Sequence, residues 1–128
     1  MIQYLIVFIG AGIGGAMRHG VNLAAAALLG SGFGYGTLAV NVVGSLAMGA
    51  LAAFLAFQGE MAQPWRLFLA TGVLGGFTTF SAFSLDAALL FERGQLALAA
   101  IYVLASVIGS IAALFAGLAL VRQIGLSG

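Results

Sequence analysis

Two stretches of the sequence place uncharged polar side chains on one face of a helix. They recur every fourth residue, at Thr37, Asn41 and Ser45 and again at Tyr102, Ser106 and Ser110. Residues four apart lie on the same side of an α-helix, so each set forms a polar stripe. Every side chain in the stripes can donate a hydrogen bond, and none is an acid or an amine. Such donors suit a small anion that must lose its water, unless the hydroxyls only bond back to their own helices.

A third stretch, TGVLGGFTTFSAFS from Thr71 to Ser84, combines adjacent glycines with adjacent β-branched threonines. This is a poor composition for the interior of a helix, and we expect a break near Gly75–Thr79. At membrane depth, backbone that is not helical must be buried in protein or line a cavity. The N–H and carbonyl groups at the two ends of a broken helix can then hold ions.

Phe80 and Phe83 follow the expected break three residues apart, which places both rings on one face of the next helix. The edge of an aromatic ring carries partial positive charge. A ring presented edge-on can therefore contact a small anion. Packing or lipid contact is the alternative for this pair.

The composition indicates that these segments lie in a membrane. Only seven of 128 residues are charged, four Arg and three acids, and 63% are hydrophobic. A soluble domain of this length would carry roughly 30 charged residues. A solvated globule and a disordered tail are therefore excluded, and nucleic-acid binding is disfavoured because no basic stripe exists. The absence of cysteine excludes disulfides and thiolate ligands.

Hydropathy and turn residues predict an all-α membrane protein with one domain, residues 1–128, of four transmembrane helices. The predicted spans cover residues 2–29, 37–57, 65–91 and 95–121, with the third broken near its middle. The Gly-rich segment 30–36, the segment 58–64 with Glu60, and the segment 92–94 are predicted as the connections.

The arginines give no preferred orientation. With four spans both termini lie on one side, together with Arg66 and Arg122, while Arg93 lies on the other side. Arg18 is expected to reach towards the Arg93 side, which leaves the positive charges balanced. A chain without this signal can insert both ways and pair as an antiparallel homodimer. Pairs of small residues four apart predict close helix approach, within the chain or between copies, at Gly10/Gly14, Ser45/Gly49, Gly72/Gly76, Ala105/Gly109 and Ala113/Gly117.

Three motifs together resemble the Fluc family of small fluoride channels, also called CrcB proteins. They are GGFTTFSAF at 75–83, GGAMR at 14–18, and GTLAVN at 36–41 followed by Gly44, and the resemblance covers essentially the whole chain. Two departures are small: Ala82 stands where Thr is common in the family, and His19 stands where an aromatic residue is often found.

The resemblance implies an antiparallel, dual-topology homodimer in the inner membrane, with two pores for passive efflux of fluoride and protection against its toxicity. Each pore would combine Asn41 and the fourth-span stripe of one subunit with Phe80 and Phe83 of the other, although the stripes alone are also compatible with one axial pore. It also implies a sodium ion at the dimer axis, held by main-chain carbonyls of Gly75 and Thr78. The fluoride contacts expected on this basis are Asn41, Phe80, Phe83, Ser110, Ser106, Tyr102, Thr37 and Thr79.

Arg18 is expected to attract anions at a vestibule, or else to anchor the chain at the membrane interface. A dual-topology exporter that couples proton entry to cation exit is the main rival, but it needs a carboxylate within a span. The only candidate is Asp86, near a span end. A non-transporting assembly subunit is the third possibility. No nucleophile–base or metal constellation indicates an enzyme.

Overall fold

The computed structural model describes residues 1–58 and 63–127, and in these ranges the chain is helical with no strand. Four helices are long and apolar enough to cross a membrane, as predicted. The first is α1, Ile2–Leu29, and the second is α2, Tyr35–Gln58. The third span runs from Gln63 to Glu92, and the fourth is α6, Leu96–Ser127.

The third span is built from several pieces. Its first half comprises α3, Gln63–Arg66, a π-helix, Leu67–Leu74, and the short α4, Gly75–Phe77. Its second half is α5, Phe80–Glu92. The π-helix is not signalled by the sequence motifs.

The predicted break is confirmed, but it is narrower than expected. Only Thr78 and Thr79 leave the helical conformation, with φ/ψ of −87°/160° and −155°/123°. Gly75 keeps a helical φ/ψ of −62°/−38°. Because β-branched residues favour extended backbone, the threonine pair rather than the glycine pair marks the break.

The helix ends differ from the predicted spans by two residues or more in three places. The third span begins at Gln63, two residues before the predicted 65 and within the predicted connection. The second helix begins at Tyr35, two residues before the predicted 37. The fourth continues to Ser127 rather than ending near 121, so Arg122 and Gly125 are helical. One glycine costs a helix only about 1 kcal/mol, which explains why Gly125 does not end it.

The described connections are short and use glycines at positive φ. Gly30 and Gly34 have φ of 84° and 78° in the first connection, and Gly94 has φ of 79° in the last. Glu92, predicted as a turn residue, is the final residue of α5. The predicted loop position of Glu60 lies outside the described residues. We call the side with both chain termini the terminal face, and the side with Gly30–Gly34 and Gly94 the turn face.

Glycines let two pairs of parallel helices approach closely. A Cβ at Gly14 would overlap the carbonyl oxygen of Val73 in the π-helix, and one at Gly10 would meet the carbonyl of Phe68. On the other side of the bundle, a Cβ at Gly49 of α2 would overlap the carbonyl of Leu114 in α6. The predicted close approaches at these positions are therefore contacts within one chain.

Large apolar side chains point mostly outwards, as expected for a protein whose solvent is lipid. The one buried hydrophobic cluster found in the described part of the chain lies towards the turn face. It comprises Phe83, Leu90, Ala99 and Tyr102.

We expect Gly14→Ala to destabilise the protein by about 1–3 kcal/mol, because the new methyl group must displace backbone of the third span. Thermal unfolding in detergent measures the effect as a lower Tm. Gly12→Ala is the matched control on the same helix, since nothing lies within 4 Å of a Cβ there. Equal Tm values for the two variants would show that the contact of α1 with the π-helix does not limit stability.

Candidate ion-binding site at the helix break

A cavity of about 290 Å³ lies beside the break in the third span. We call it the break cavity. Its polar lining consists of Asn41, Ser45, Thr78, Thr79, Ser106 and Ser110, and its apolar lining consists of Phe80, Phe83, Val107 and Ile111. None of the lining side chains carries a charge, so the cavity offers only dipoles and neutral groups that can donate or accept hydrogen bonds.

Asn41 holds the break in place. Its Nδ2 donates to the carbonyl oxygen of Thr79 at 2.9 Å, and its Oδ1 accepts from the Thr79 N–H at 2.8 Å. One side-chain amide therefore satisfies both backbone groups of an extended residue at membrane depth. The second Nδ2 hydrogen of Asn41 is left for another acceptor. The sequence predicted Asn41 as an ion contact and gave no sign of this structural role.

The two threonines of the break also bond to their own backbone. Thr78 donates its hydroxyl to the carbonyl of Leu74 at 3.0 Å. Thr79 is the N-cap of α5, and its Oγ1 accepts from the N–H of Ala82 at 3.2 Å. The Thr79 hydroxyl also shares a 3.3 Å hydrogen bond with Ser81 Oγ. Thr79, a predicted fluoride contact, therefore lies at the cavity with its hydroxyl already engaged.

Arg18 lies at the break rather than at the end of its helix. Its Nε donates to the carbonyl oxygen of Gly76 at 3.1 Å. Arg18 is 11 residues from the end of α1 at Leu29, or about 17 Å along the axis. Arg18 was expected to reach towards the turn face. Its hydrogen-bond partner is instead the carbonyl of Gly76, near the middle of the membrane.

Phe80 and Phe83 border the break cavity of their own chain. Their ring centroids are 5.4 Å apart with an interplanar angle of 63°, so the edge of one ring meets the face of the other. Phe83 is only 8% exposed, whereas Phe80 is 77% exposed. The division of each pore between two subunits stays a prediction, because one chain already brings Phe83 and Asn41 to the same cavity.

Ser106 carries a buried hydroxyl without a protein partner. The residue is 5% exposed, and its Oγ makes no hydrogen bond within the described part of the chain. An unsatisfied buried hydroxyl costs about 1–3 kcal/mol. Ser106 lines the break cavity, but its Oγ has less than 1 Å² of exposed surface, so the side chain must rotate before the hydroxyl can contact a bound ion or water.

The polar stripes divide between two places. Asn41, Ser45, Ser106 and Ser110 reach the break cavity, as predicted for one face of each helix. The fully buried Tyr102 instead donates its hydroxyl to Asp86 Oδ2 at 3.0 Å.

Asp86 and Thr37 line a second cavity of about 290 Å³ near the turn face, which we call the turn-face cavity. Asn22 also lines it, and no sequence pattern singled that residue out. Asn22 is four residues after Arg18, so the two side chains share one face of α1, and this two-residue polar stripe could have pointed to Asn22. The Phe83 ring packs on Tyr102, with centroids 5.5 Å apart, between the two cavities.

Of the two sodium ligands that the family resemblance implies, Gly75 lies before the break and Thr78 is the first residue of the break itself. Gly75 is exposed on the surface of the third span, and Thr78 is the first extended residue. The described residues contain no group of three or more His, Cys, Asp or Glu that could hold a metal ion. A cation at the break would therefore depend on main-chain carbonyl oxygens.

A family profile described as CrcB-like protein, Camphor Resistance (CrcB), matches residues 5–118. This chain belongs to the CrcB family. The match includes the break, both polar stripes and Arg18, so the site described above lies wholly within the part that defines membership.

Curated CrcB relatives match nearly the whole chain. A protein of Methylobacterium nodulans named fluoride-specific ion channel FluC is 62% identical over 98% of this chain and 100% of its own length. One of Rhodopseudomonas palustris with the same name is 59% identical over 96% of this chain and 99% of its own length. One of Nitrobacter hamburgensis, named fluoride-specific ion channel FluC 2, is 57% identical over 96% of this chain and 99% of its own length.

Asn41→Leu is expected to destabilise the protein by about 1–3 kcal/mol, because it removes the side-chain acceptor of the Thr79 N–H and the donor to the Thr79 carbonyl. Ser45→Ala is the matched control, since Ser45 lines the same cavity and makes no side-chain hydrogen bond within residues 1–58 and 63–127. Hydrogen exchange of the Thr79 amide in micelles gives the readout. Equal protection of the Thr79 amide in both variants would contradict the role of Asn41 in holding the Thr79 backbone.

Proposed function

We propose that this protein is a passive fluoride channel that lets cytoplasmic fluoride leave the cell and so protects against its toxicity. The observation that carries the proposal is the break cavity, a membrane-depth site lined by uncharged donors with one buried hydroxyl unpartnered. The names of the relatives point to the same ion. HF enters from acidic surroundings, dissociates inside, and the trapped ion leaves down its gradient with help from the inside-negative potential. No enzymatic step is involved.

The donors would replace the water that fluoride must lose, as carbonyl oxygens do for cations in potassium filters. The free Nδ2 hydrogen of Asn41, the hydroxyls of Ser106 and Ser110, and the ring edges of Phe80 and Phe83 are the contacts at the break. Thr37 and Tyr102 would contact the ion further along, near the turn face. Chloride is larger and would be excluded by a narrow pore. The positive charge of Arg18 at mid-membrane favours an anion over a cation.

A second copy of the chain in the opposite orientation is the proposed cover of the break cavity. Phe80 and Ser81 are exposed beside polar groups that lipid cannot satisfy. In an antiparallel homodimer, the Phe80 and Phe83 rings of each subunit would lie against Asn41 and the fourth-span hydroxyls of the other. The pair would then enclose two pores.

We also propose a sodium ion on the axis of this dimer, held by the carbonyls of Gly75 and Thr78 from both subunits. The surface position of Gly75 supports this assignment because a partner can approach its backbone. Carbonyl oxygens are suitable ligands for a hard cation.

The proposed location is the inner membrane, in both orientations. Arg66 and Arg122 lie near the terminal face, Arg93 lies near the turn face, and Arg18 lies at the break. The positive-inside rule therefore has little asymmetry to act on. A proton-coupled cation exporter has less support, because Asp86 lies near the turn face with Tyr102 as its partner and not at the break.

Proteoliposomes loaded with fluoride should release it through the purified protein and retain chloride, as read by ion-selective electrodes. We expect Asn41→Asp to abolish release, because it adds a negative charge and removes a donor. Phe80→Ile should slow release sharply, because it removes a ring edge. Phe91→Ile, on the same helix and 64% exposed, is the matched control and should conduct normally. Fluoride retention with the native protein would refute the function, and normal release by both cavity variants would refute the site.

Carboxy-terminal reporters test the dual orientation. Green fluorescent protein fluoresces only in the cytoplasm, and alkaline phosphatase is active only outside it, so both fusions of the native chain should be active. The double variant Gln3→Lys with Gln63→Lys adds positive charge at exposed positions of the terminal face and should leave only the fluorescent fusion active. Activity of one native fusion alone would exclude insertion in both directions.

A further inference from the structure

The first and third spans touch near mid-membrane and separate towards the terminal face. A Cβ at Gly10 or Gly14 would overlap backbone of the π-helix, so the two helices are in direct contact at this level. Gln3 lies seven residues before Gly10, or about 10 Å along the axis of α1. Neither residues 3–9 nor the facing residues 63–71 include a glycine. Side chains therefore hold the two helices apart at their terminal-face ends.

This separation leaves a gap of about 500 Å³, which we call the terminal gap. It is lined by Gln3, Tyr4, Val7, Phe8, Gln63 and Leu67. Tyr4 and Phe8 are 79% and 77% exposed, so the gap opens sideways to the membrane. A second groove, of about 560 Å³, runs along α1 on the other side of the Tyr4 and Phe8 side chains. The two grooves together offer room for two hydrocarbon chains.

The polar groups at the outer end of the terminal gap suit a phosphate. Gln3 and Gln63 carry side-chain amides that can donate hydrogen bonds. Arg66 is exposed and follows Gln63 by three residues, on the same side of the third span. Its guanidinium makes no ion pair or hydrogen bond within the described part of the chain. The described acids, Asp86 and Glu92, both lie towards the turn face, so the charge beside the gap complements an anion.

We propose that the terminal gap binds an anionic phospholipid, with one hydrocarbon chain between α1 and the π-helix and the phosphate on Arg66. The second chain lies in the groove beyond Tyr4 and Phe8. A guanidinium binds a phosphate through two parallel hydrogen bonds. Tyr4 and Trp65 are aromatic residues of the type that lies at the headgroup level of a membrane. A lipid in this position bridges α1 and the third span where their own contact ends, and it does so whichever ion the protein conducts.

Lipid binding to the full-length protein in a neutral detergent tests the proposal. Phosphatidylglycerol, phosphatidylethanolamine and phosphatidylcholine with identical chains are added in turn, native mass spectrometry counts the bound lipids, and thermal unfolding gives the Tm. We expect phosphatidylglycerol to bind most tightly, at one molecule per chain, and to raise the Tm most. Arg66→Gln should weaken its binding about fivefold, the effect of one arginine near an anionic lipid surface. Arg122→Gln is the matched control, because Arg122 is exposed near the same face on α6, and it should leave binding unchanged.

Val7→Phe tests the gap itself, because the added ring would occupy the space of the hydrocarbon chain and should weaken binding of all three lipids several-fold. Ile108→Phe is its control, on α6 at a position that is 62% exposed, and should bind lipid normally.

Four results would overturn the proposal. Equal binding of the three lipids by the native protein, or equal loss in Arg66→Gln and Arg122→Gln, would overturn the phosphate contact, and this arm does not depend on Val7→Phe folding. Unchanged lipid binding by folded Val7→Phe would overturn the position of the chain. A shift of Val7→Phe from dimer to monomer, with lipid binding unchanged, would mean that a second copy of the protein covers the gap.

Discussion

The paired hydrogen bonds between the Asn41 amide and the Thr79 backbone make the rest of the site possible. Extended backbone at membrane depth has no water to satisfy it, and here one side chain supplies both a donor and an acceptor. With Thr79 held extended, α5 begins anew at Phe80, and its first turn lies at a cavity instead of continuing a helix. The threonine pair favours the break, and the contact of Asn41 with Thr79 fixes where Phe80, Phe83 and the helix end lie relative to the second span.

The break divides the third helix into two half-helices and so creates a negative carbonyl end and a positive amino end at mid-span. These two ends contact different groups. Arg18 bonds to a carbonyl at the negative end, so a permanent cation lies near mid-membrane without occupying the cavity. The positive end meets neutral hydroxyls and phenyl rings. A site of this kind attracts a small anion through many weak dipoles. In the proposed channel no single strong charge would hold the ion, so it could be desolvated on entry and still leave.

The sequence predicted the elements better than the contacts between them. Four spans and the break follow from local properties: hydropathy, glycine-rich turns and the extended preference of Thr78 and Thr79. The partners of Asn41, Arg18 and Tyr102 depend on the rotation and register of separate helices, which no local pattern specifies. The close packing of Gly10 and Gly14 was predicted, but the π-helix they pack against was not. Asn22 lies four residues after Arg18, but two positions on one helix face make a weaker pattern than the three-residue stripes of the second and fourth spans.

The central claim is that uncharged donors at the break take the place of the water around fluoride. Solid-state NMR of ¹⁵N-labelled protein in liposomes, with ¹⁹F dephasing by fluoride ions, measures this contact directly. The account predicts fluoride-dependent dephasing of the Asn41 side-chain amide, and none at the Gly12 backbone amide. Absence of dephasing at Asn41, in liposomes that conduct fluoride, would place the ion elsewhere and contradict the account.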